Sequence, residues 1–261
     1  MELKDKVVVI TGGSGGIGRA MAKAFQDEGA KGIVLADLSE EAVQAAAGEL
    51  GCDGRACNVT SEAEIQALVD FTVDKYGQVD LFCSNAGAGG EGVLTDASND
   101  VWNQQWDLHL MSHLYAARAV LPGMLERGDG YLLNTASAAG LLAAIGSGPY
   151  TVTKAAAVKL AEFLSITHGD EGIKVSVLCP QGVNTAMAPR SLGDGQTDGI
   201  IEPEQLAQTV VETIREERFY VLPHPEVEEY VRRKGDDVDR WLYGMRRLRR
   251  QAQELQVQQE E

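Results

Sequence analysis

Eight residues near the start of the chain, Thr11-Gly12-Gly13-Ser14-Gly15-Gly16-Ile17-Gly18, restrict what it can fold into more than any other stretch. They join an apolar run at 7–11 to an amphipathic stretch at 16–28, which reads as strand, turn and helix. Glycines let the backbone turn sharply and approach a bound group closely. The free N–H groups of the helix that follows favour an anion such as a pyrophosphate. The run meets two spacings at once, Gly13-x-Gly15-x-x-Gly18 and Gly12-x-x-x-Gly16-x-Gly18. Glycine spacing alone therefore leaves the type of dinucleotide-binding turn open.

The same alternation continues along the chain. Short apolar runs at 32–37, 80–84, 130–135, 174–179 and 219–222, with a weaker one at 55–58, read as strands. Residues 39–50, 61–76, 98–127, 148–171 and 203–216 read as helices, with Ser39 and Ser61 as N-caps. Near-continuous apolar strands between helices predict an α/β fold, a doubly wound Rossmann-type parallel sheet of about seven strands with helices on both faces. Residues 1–225 would form this one domain. Two segments depart from it. Residues 185–199 are polar and glycine-containing and predict a mobile loop over a site. Residues 226–261 predict a charged helical extension, broken near Gly235, with an apolar seam of Val238, Trp241, Met245, Leu248, Ala252 and Leu255.

Charge narrows the partners. The net charge of −16 repels phosphate backbones, and the +5 carried by residues 232–250 leaves −21 on the remainder. The basic segment suits an acidic protein surface better than nucleic acid, so no nucleic-acid partner is expected. No apolar run approaches the ~20 residues of a membrane span, and the first residues lack a signal-peptide pattern. The expectation is a cytoplasmic protein with no membrane partner. Cys52, Cys57, Cys83 and Cys179 lack metal-ligand spacing and read as reduced thiols.

Asp37 ends the second strand, 19 residues beyond Gly18. A carboxylate at that offset accepts hydrogen bonds from adenosine ribose hydroxyls and repels a 2′-phosphate, which favours NAD over NADP. Its alternative reading is a cap for the helix from Ser39. Tyr150 and Lys154 share a helix face at i and i+4, and Ser137 lies 13 residues upstream. A phenol, ordinarily near pKa ~10, serves as a base at neutral pH only if a cation such as Lys154 stabilises the phenolate. The Ser137 hydroxyl can hold a substrate oxygen while Tyr150 moves its proton.

Taken in order, Thr11-Gly12-x-x-x-Gly16-Ile17-Gly18, Asp37, Asn85-Ala86-Gly87, Ser137, Tyr150-x-x-x-Lys154, and Pro180 with Thr185 resemble the short-chain dehydrogenase/reductase family across roughly residues 5–222. The resemblance implies that Gly12, Ser14, Gly15, Gly16, Ile17, Gly18, Asp37 and Leu38 hold one end of NAD. It implies that Asn58 and Val59 meet the adenine and that Asn85, Ala86 and Gly87 pass close to the cofactor. Pro180, Val183 and Thr185 would meet the nicotinamide side, and Lys154 would hold its ribose while tuning Tyr150. Three departures stand out. Asn58 replaces the usual Asp, though its amide oxygen can accept from an amino group. Gln181 follows Pro180 where a glycine is usual. His109 falls on the family's catalytic Asn, which bends a helix and holds a relay water. Imidazole exchanges protons near neutral pH when unperturbed, so His109 is expected to join the relay rather than bind a metal.

Three functions are consistent with these residues: NAD-linked interconversion of a secondary alcohol and its ketone, epimerisation or dehydration with the same cofactor, and NAD binding without turnover. The substrate pocket is expected from residues 88–92, 138–145 and 187–199. Leu141, Leu142, Ala143, Ala144 and Ile145 make it apolar, with Arg190 its one basic side chain, which favours an uncharged hydrophobic substrate. A homo-oligomer, tetramer or dimer, is expected, with residues 98–127 and 148–171 at one interface.

Overall fold

Strands as apolar as 7–11 and 130–135 have no polar face to turn to water, so their sheet needs cover on both sides. The computed structural model, which describes residues 1–90, 92, 94–186 and 198–260, the last six as backbone, supplies that cover. Seven strands, β1 (Val7–Thr11), β2 (Gly32–Asp37), β3 (Asp53–Ala56), β4 (Leu81–Ser84), β5 (Gly130–Thr135), β6 (Ile173–Leu178) and β7 (Tyr220–Val221), run parallel in the order β3-β2-β1-β4-β5-β6-β7. The helices α1 (Gly16–Asp27) and α2 (Glu40–Leu50) cover one face; α3 (Glu62–Tyr76) begins the other. On the first face Met21, Phe25 and Val43 pack against Ile10, Leu35 and Leu133. On the second, Leu68 packs against Val9, Phe82 and Leu132. Side chains alternate along each strand, so both cores draw on the same backbone.

Most boundaries fall within a residue or two of those expected from sequence. The third strand begins at Asp53 rather than Arg55, because its register against β2 pairs Asp53 with Val34 and Ala56 with Asp37. Asn58 is thereby left beyond the strand end, facing the cleft. Ser39 and Ser61 cap α2 and α3, accepting from the N–H groups of Ala42 and Glu64.

The long helix expected over 98–127 is three pieces: α4 (Asn99–Trp106), a wider π-type turn at Asp107–Met111, and α5 (Ser112–Arg127). His109 sits in the wide turn. A short helix, α6 (Ala138–Leu141), precedes α7 (Gly148–His168), after which Gly169–Glu171 tighten into a single 3₁₀ turn. The helix α8 (Pro203–Glu216) returns to the first face, where Leu206, Val210 and Ile214 are buried.

The extension folds as α9 (Glu226–Asp236) and α10 (Val238–Glu260). It breaks at Asp237, two residues beyond the expected Gly235, where an extended backbone lets Asp237 Oδ1 accept from the Arg240 N–H. Lys234 Nζ donates to the Leu141 carbonyl at 2.5 Å and ties α9 to α6. Along α10, Trp241, Met245, Leu248 and Ala252 are half-buried as the seam predicts, while Val238 is exposed. Of the loop expected over 185–199, residues 187–197, including Arg190, lie outside the described residues, as does the Leu255 side chain.

The strand order reverses between β1 and β4, and a crevice opens at their carboxyl ends. The Thr11 hydroxyl fixes its geometry. It accepts from the N–H groups of Asn85 (2.9 Å) and Ala86 (3.1 Å) and donates to the Cys83 carbonyl (3.3 Å). Thr11→Val preserves shape and removes the acceptor. Urea unfolding should show a loss of about 2 kcal/mol, since an unsatisfied buried N–H costs roughly 1–3 kcal/mol.

Candidate active site

Backbone crowding explains the glycine turn. Gly12 has φ +65°, and a Cβ there would lie 2.9 Å from the Ala86 Cα; one on Gly18 would lie 2.3 Å from the Gly12 carbonyl oxygen. Gly15 precedes α1 with no side-chain cap, so the first-turn N–H groups are open to an anion. Thr185 rests its methyl against Gly16. Gly12, Ser14, Gly15, Gly16, Ile17 and Gly18 all line one cleft of about 2350 Å³. That is more than twice the roughly 1,000 Å³ at the upper end of single-ligand pockets, and suits a dinucleotide with a second ligand.

Asp37 and Leu38 form the cleft wall beyond the turn. The Asp37 carboxylate accepts from the Ser14 N–H (3.1 Å), the Ser14 hydroxyl (2.5 Å) and the Leu38 N–H (2.8 Å). It is therefore tied to the turn rather than capping the next helix, a job Ser39 performs. Arg19, the residue after the turn, pairs with Glu49. Asn58 and Val59 line the same end. The Asn58 oxygen already accepts from the Thr60 N–H (3.1 Å) and hydroxyl (2.8 Å), which corrects the expectation that it is open to an amino group. Its NH₂ donor remains. Asn85 works inward: its Nδ2 donates to the Thr11 carbonyl and its Oδ1 accepts from Thr135, which holds Ala86 and Gly87 at the cleft floor.

Ser137, Tyr150 and Lys154 line the same cleft. Ser137 follows β5 and caps α6, accepting from the Ala139 N–H at 3.1 Å. Lys154 is 3% exposed, and its Nζ donates to the Thr135 carbonyl at 3.0 Å. It lies 5.7 Å from the centre of the Tyr150 ring. Burial pulls the lysine pKa down to about 8. Burial likewise raises the Tyr150 pKa, and the hydrogen bond with Ser137 opposes this only in part. Lys154, whose Nζ donates to Thr135, is not among the groups that offset this burial. In the protein free of cofactor and substrate, the Tyr150 phenol is thus favoured in its neutral form.

His109 is fully buried beside this group, its ring edge-on to Tyr150 with centroids 5.4 Å apart. Nε2 accepts from the Ala88 N–H at 3.3 Å, and Nδ1 lies 3.0 Å from the Thr153 hydroxyl. That hydroxyl donates to the Pro149 carbonyl at 2.9 Å, which assigns the ring proton to Nδ1. Burial and the Lys154 charge pull the His109 pKa down to about 2. This corrects the expectation of titration near neutral pH: the imidazole is a neutral bracket between the Ala88 amide and α7.

Pro180 closes the floor, its carbonyl accepting from the Ala138 N–H and the Ser137 hydroxyl. Val183 and Thr185 line the cleft beyond it. Gln181 donates from its N–H to His224 Nδ1 and from Nε2 to Asp198. Sequence reasoning missed three contributors. His113, buried near Lys154 and held neutral with a pKa of about 3, had only its i+4 offset from His109 as a signal. Thr153 gave none. Tyr230, Arg240, Trp241, Gly244 and Arg247 bring α9 and α10 into the cleft wall; their basic run and apolar seam were visible, but not which surface they face. Among the described residues, no group of three or more His, Cys, Asp or Glu is placed to hold a metal ion.

The buried lysine carries a stability test. Its folded pKa of about 8 lies below the ordinary 10.5, so the unfolded chain holds the proton more tightly and stability rises with pH between those values. Lys154→Met should abolish turnover yet stabilise the cofactor-free protein at pH 7 by about 2 kcal/mol, after allowing about 1 kcal/mol for the lost Thr135 bond. Urea unfolding at a series of pH values should show this advantage fading between pH 8 and 10.5.

The chain matches the family model of the short chain dehydrogenases over residues 6–194. It is 32% identical over 256 residues to 1-deoxy-11-beta-hydroxypentalenate dehydrogenase of Streptomyces exfoliatus, covering 91% of this chain and 90% of that protein. An uncharacterized oxidoreductase of Staphylococcus aureus is 34% identical over 213 residues, covering 80% and 90%. A short chain dehydrogenase/reductase of Burkholderia phymatum, solved in complex with NAD, superposes with a TM-score of 0.83 at 31% identity, covering 92% of this chain and 96% of that one. The apo form of LigD from a Sphingobium strain gives 0.78 at 26% identity, covering 90% and 96%. Fold, cleft and sequence agree, and the chain belongs to the short-chain dehydrogenase/reductase family of oxidoreductases.

Proposed function

We propose that the protein interconverts a hydrophobic secondary alcohol and its ketone with NAD. The observation that carries this reading is that Ser137, Tyr150 and Lys154 line the same cleft as the glycine turn. When bound, the nicotinamide accepts or supplies the hydride. The chain does the rest. Ser137 and Tyr150 present hydroxyls to the carbinol or carbonyl oxygen, and Tyr150 gives or takes its proton. Lys154, protonated below about pH 8, keeps positive charge beside the phenol. His109 holds α7 and the Ala88 amide in register without changing its own charge.

The glycine turn and the side chains of Asp37, Leu38, Asn58 and Val59 suit the adenosine half, with Asn85, Ala86, Gly87, Pro180, Val183 and Thr185 along the rest of the cofactor. The relative solved with NAD supports this cofactor, and the relative named as a dehydrogenase of 1-deoxy-11-beta-hydroxypentalenate supports a hydroxylated substrate. Leu142, Ala144 and Ile145 supply an apolar wall for the substrate. Assembly as a homo-oligomer belongs to the same reading, supported by Phe163 and Ile166, which α7 leaves 61% and 83% exposed.

Following the absorbance of reduced cofactor with a panel of cyclic, aryl and steroid-like secondary alcohols tests the reading. Steady turnover supports it; cofactor binding with no turnover across the panel refutes it. Catalytic efficiency should be higher with NAD than with NADP, and Asp37→Ala should narrow that gap mainly through the cofactor KM, because the lost contact is far from the reacting carbon. Tyr150→Phe should remove most turnover while NAD binding, measured by calorimetry, stays near wild type. His109→Asn should keep much of the activity and leave the pH profile of kcat/KM unmoved, since His109 does not titrate in the working range.

A further inference from the structure

Arg240, Gly244 and Arg247 form one stripe of α10 at the cleft wall, spaced i, i+4 and i+7. Neither guanidinium makes a hydrogen bond or ion pair among the described residues, whereas Arg232 and Arg233 on α9 are matched by Glu229 and Asp236. Asp237, also at the wall, is occupied in capping α10. Glycine inside a helix costs about 1 kcal/mol relative to alanine. Nothing in the packing calls for it at 244, since a Cβ there would meet no atom within 4 Å. What glycine provides is a gap between two cations, with the half-buried Trp241 and Leu248 beside it.

We propose that the substrate of this site carries a carboxylate, at the end of its apolar body remote from the reacting carbinol, and that Arg240 and Arg247 hold it across the Gly244 gap. The inference rests on reading the cleft as an alcohol-oxidising site and names the class of alcohol it takes, replacing the uncharged substrate expected from sequence with an apolar body that carries one carboxylate. Guanidinium groups suit carboxylates because both are planar and pair through two parallel hydrogen bonds. A protein of charge −16 repels a free acid unless unpaired cations stand at the entrance. The cofactor pyrophosphate shares this anionic chemistry, but the glycine turn already offers it N–H donors. The approach to α10 is fastened by Lys234 on the Leu141 carbonyl of α6. Arg240 follows that anchor by six residues. Arg247 lies about 10 Å farther along the helix at ~1.5 Å per residue, with Gly244 between the two.

The test uses a matched pair of probes, 6-hydroxydecalin-2-carboxylate and its carboxamide. Both kcat/KM with NAD and the Kd for the NAD-loaded protein, by calorimetry, are measured. The wild type should prefer the acid by tenfold or more. Arg240→Ala/Arg247→Ala should erase most of that preference, and so should Gly244→Leu, which fills the gap while raising helix propensity. Arg249→Ala/Arg250→Ala removes the same charge from residues outside the cleft wall and should keep the preference. Absence of an acid preference in the wild type overturns the proposal, as does equal loss in the Arg249/Arg250 variant. Weaker NAD binding in the Arg240/Arg247 variant with unaltered acid preference also overturns it, assigning the arginines to the cofactor phosphates. If neither probe is oxidised yet the acid binds tenfold tighter through these arginines, the alcohol-oxidising reading fails and the carboxylate seat stands.

Discussion

The ammonium of Lys154 sits at the carboxyl end of β5, nearly out of reach of water, with the Thr135 carbonyl as its hydrogen-bond acceptor. A charge in that position dictates the state of its neighbours. It helps hold His109 and His113 neutral, because two further cations in the same pocket would repel it and each other. Neutral imidazoles can then accept as well as donate, which is what the Ala88 amide requires of His109. The site thus keeps one cation and surrounds it with uncharged polar groups, in a place where a second charge would cost several kcal/mol.

The framework that brings Lys154 there is the parallel sheet. Crossover helices deliver every strand in one direction, so all carboxyl ends emerge on one edge. Residues remote in sequence, such as Gly12, Asp37, Asn85, Ser137 and Thr185, meet there because each follows or ends a strand. The wide turn at Asp107–Met111 adds the piece that regular geometry lacks, carrying His109 inward toward Thr153 between two ordinary helices.

Much of this was legible from spacing. The glycine turn, Asp37 and the Tyr150–Lys154 pair depend on local offsets along one strand or one helix face, and local offsets are what a sequence displays. Asn58 was harder: its place at the cleft followed from spacing, but the loss of its oxygen to Thr60 depends on a turn formed after β3. The neutral state of His109 could not be read from the sequence for one reason. Burial sets it, and burial is a property of the assembled site. The seam of α10 could be read as apolar on one side, yet only the Lys234–Leu141 tie and the bend at Asp237 determine that this side meets the cleft.

Gln181 stands where a glycine is usual in the family, and its side chain reaches Asp198, whose other oxygen accepts from the Tyr230 hydroxyl at 2.9 Å. One carboxylate therefore couples the residue directly behind the catalytic floor to the helix that carries the cover. Rotating α9 away from the cleft must either break that carboxylate bridge or drag the turn after Pro180 with it. The α9 wall and the turn after Pro180 are consequently joined through a single carboxylate, and a movement of the one is felt by the other.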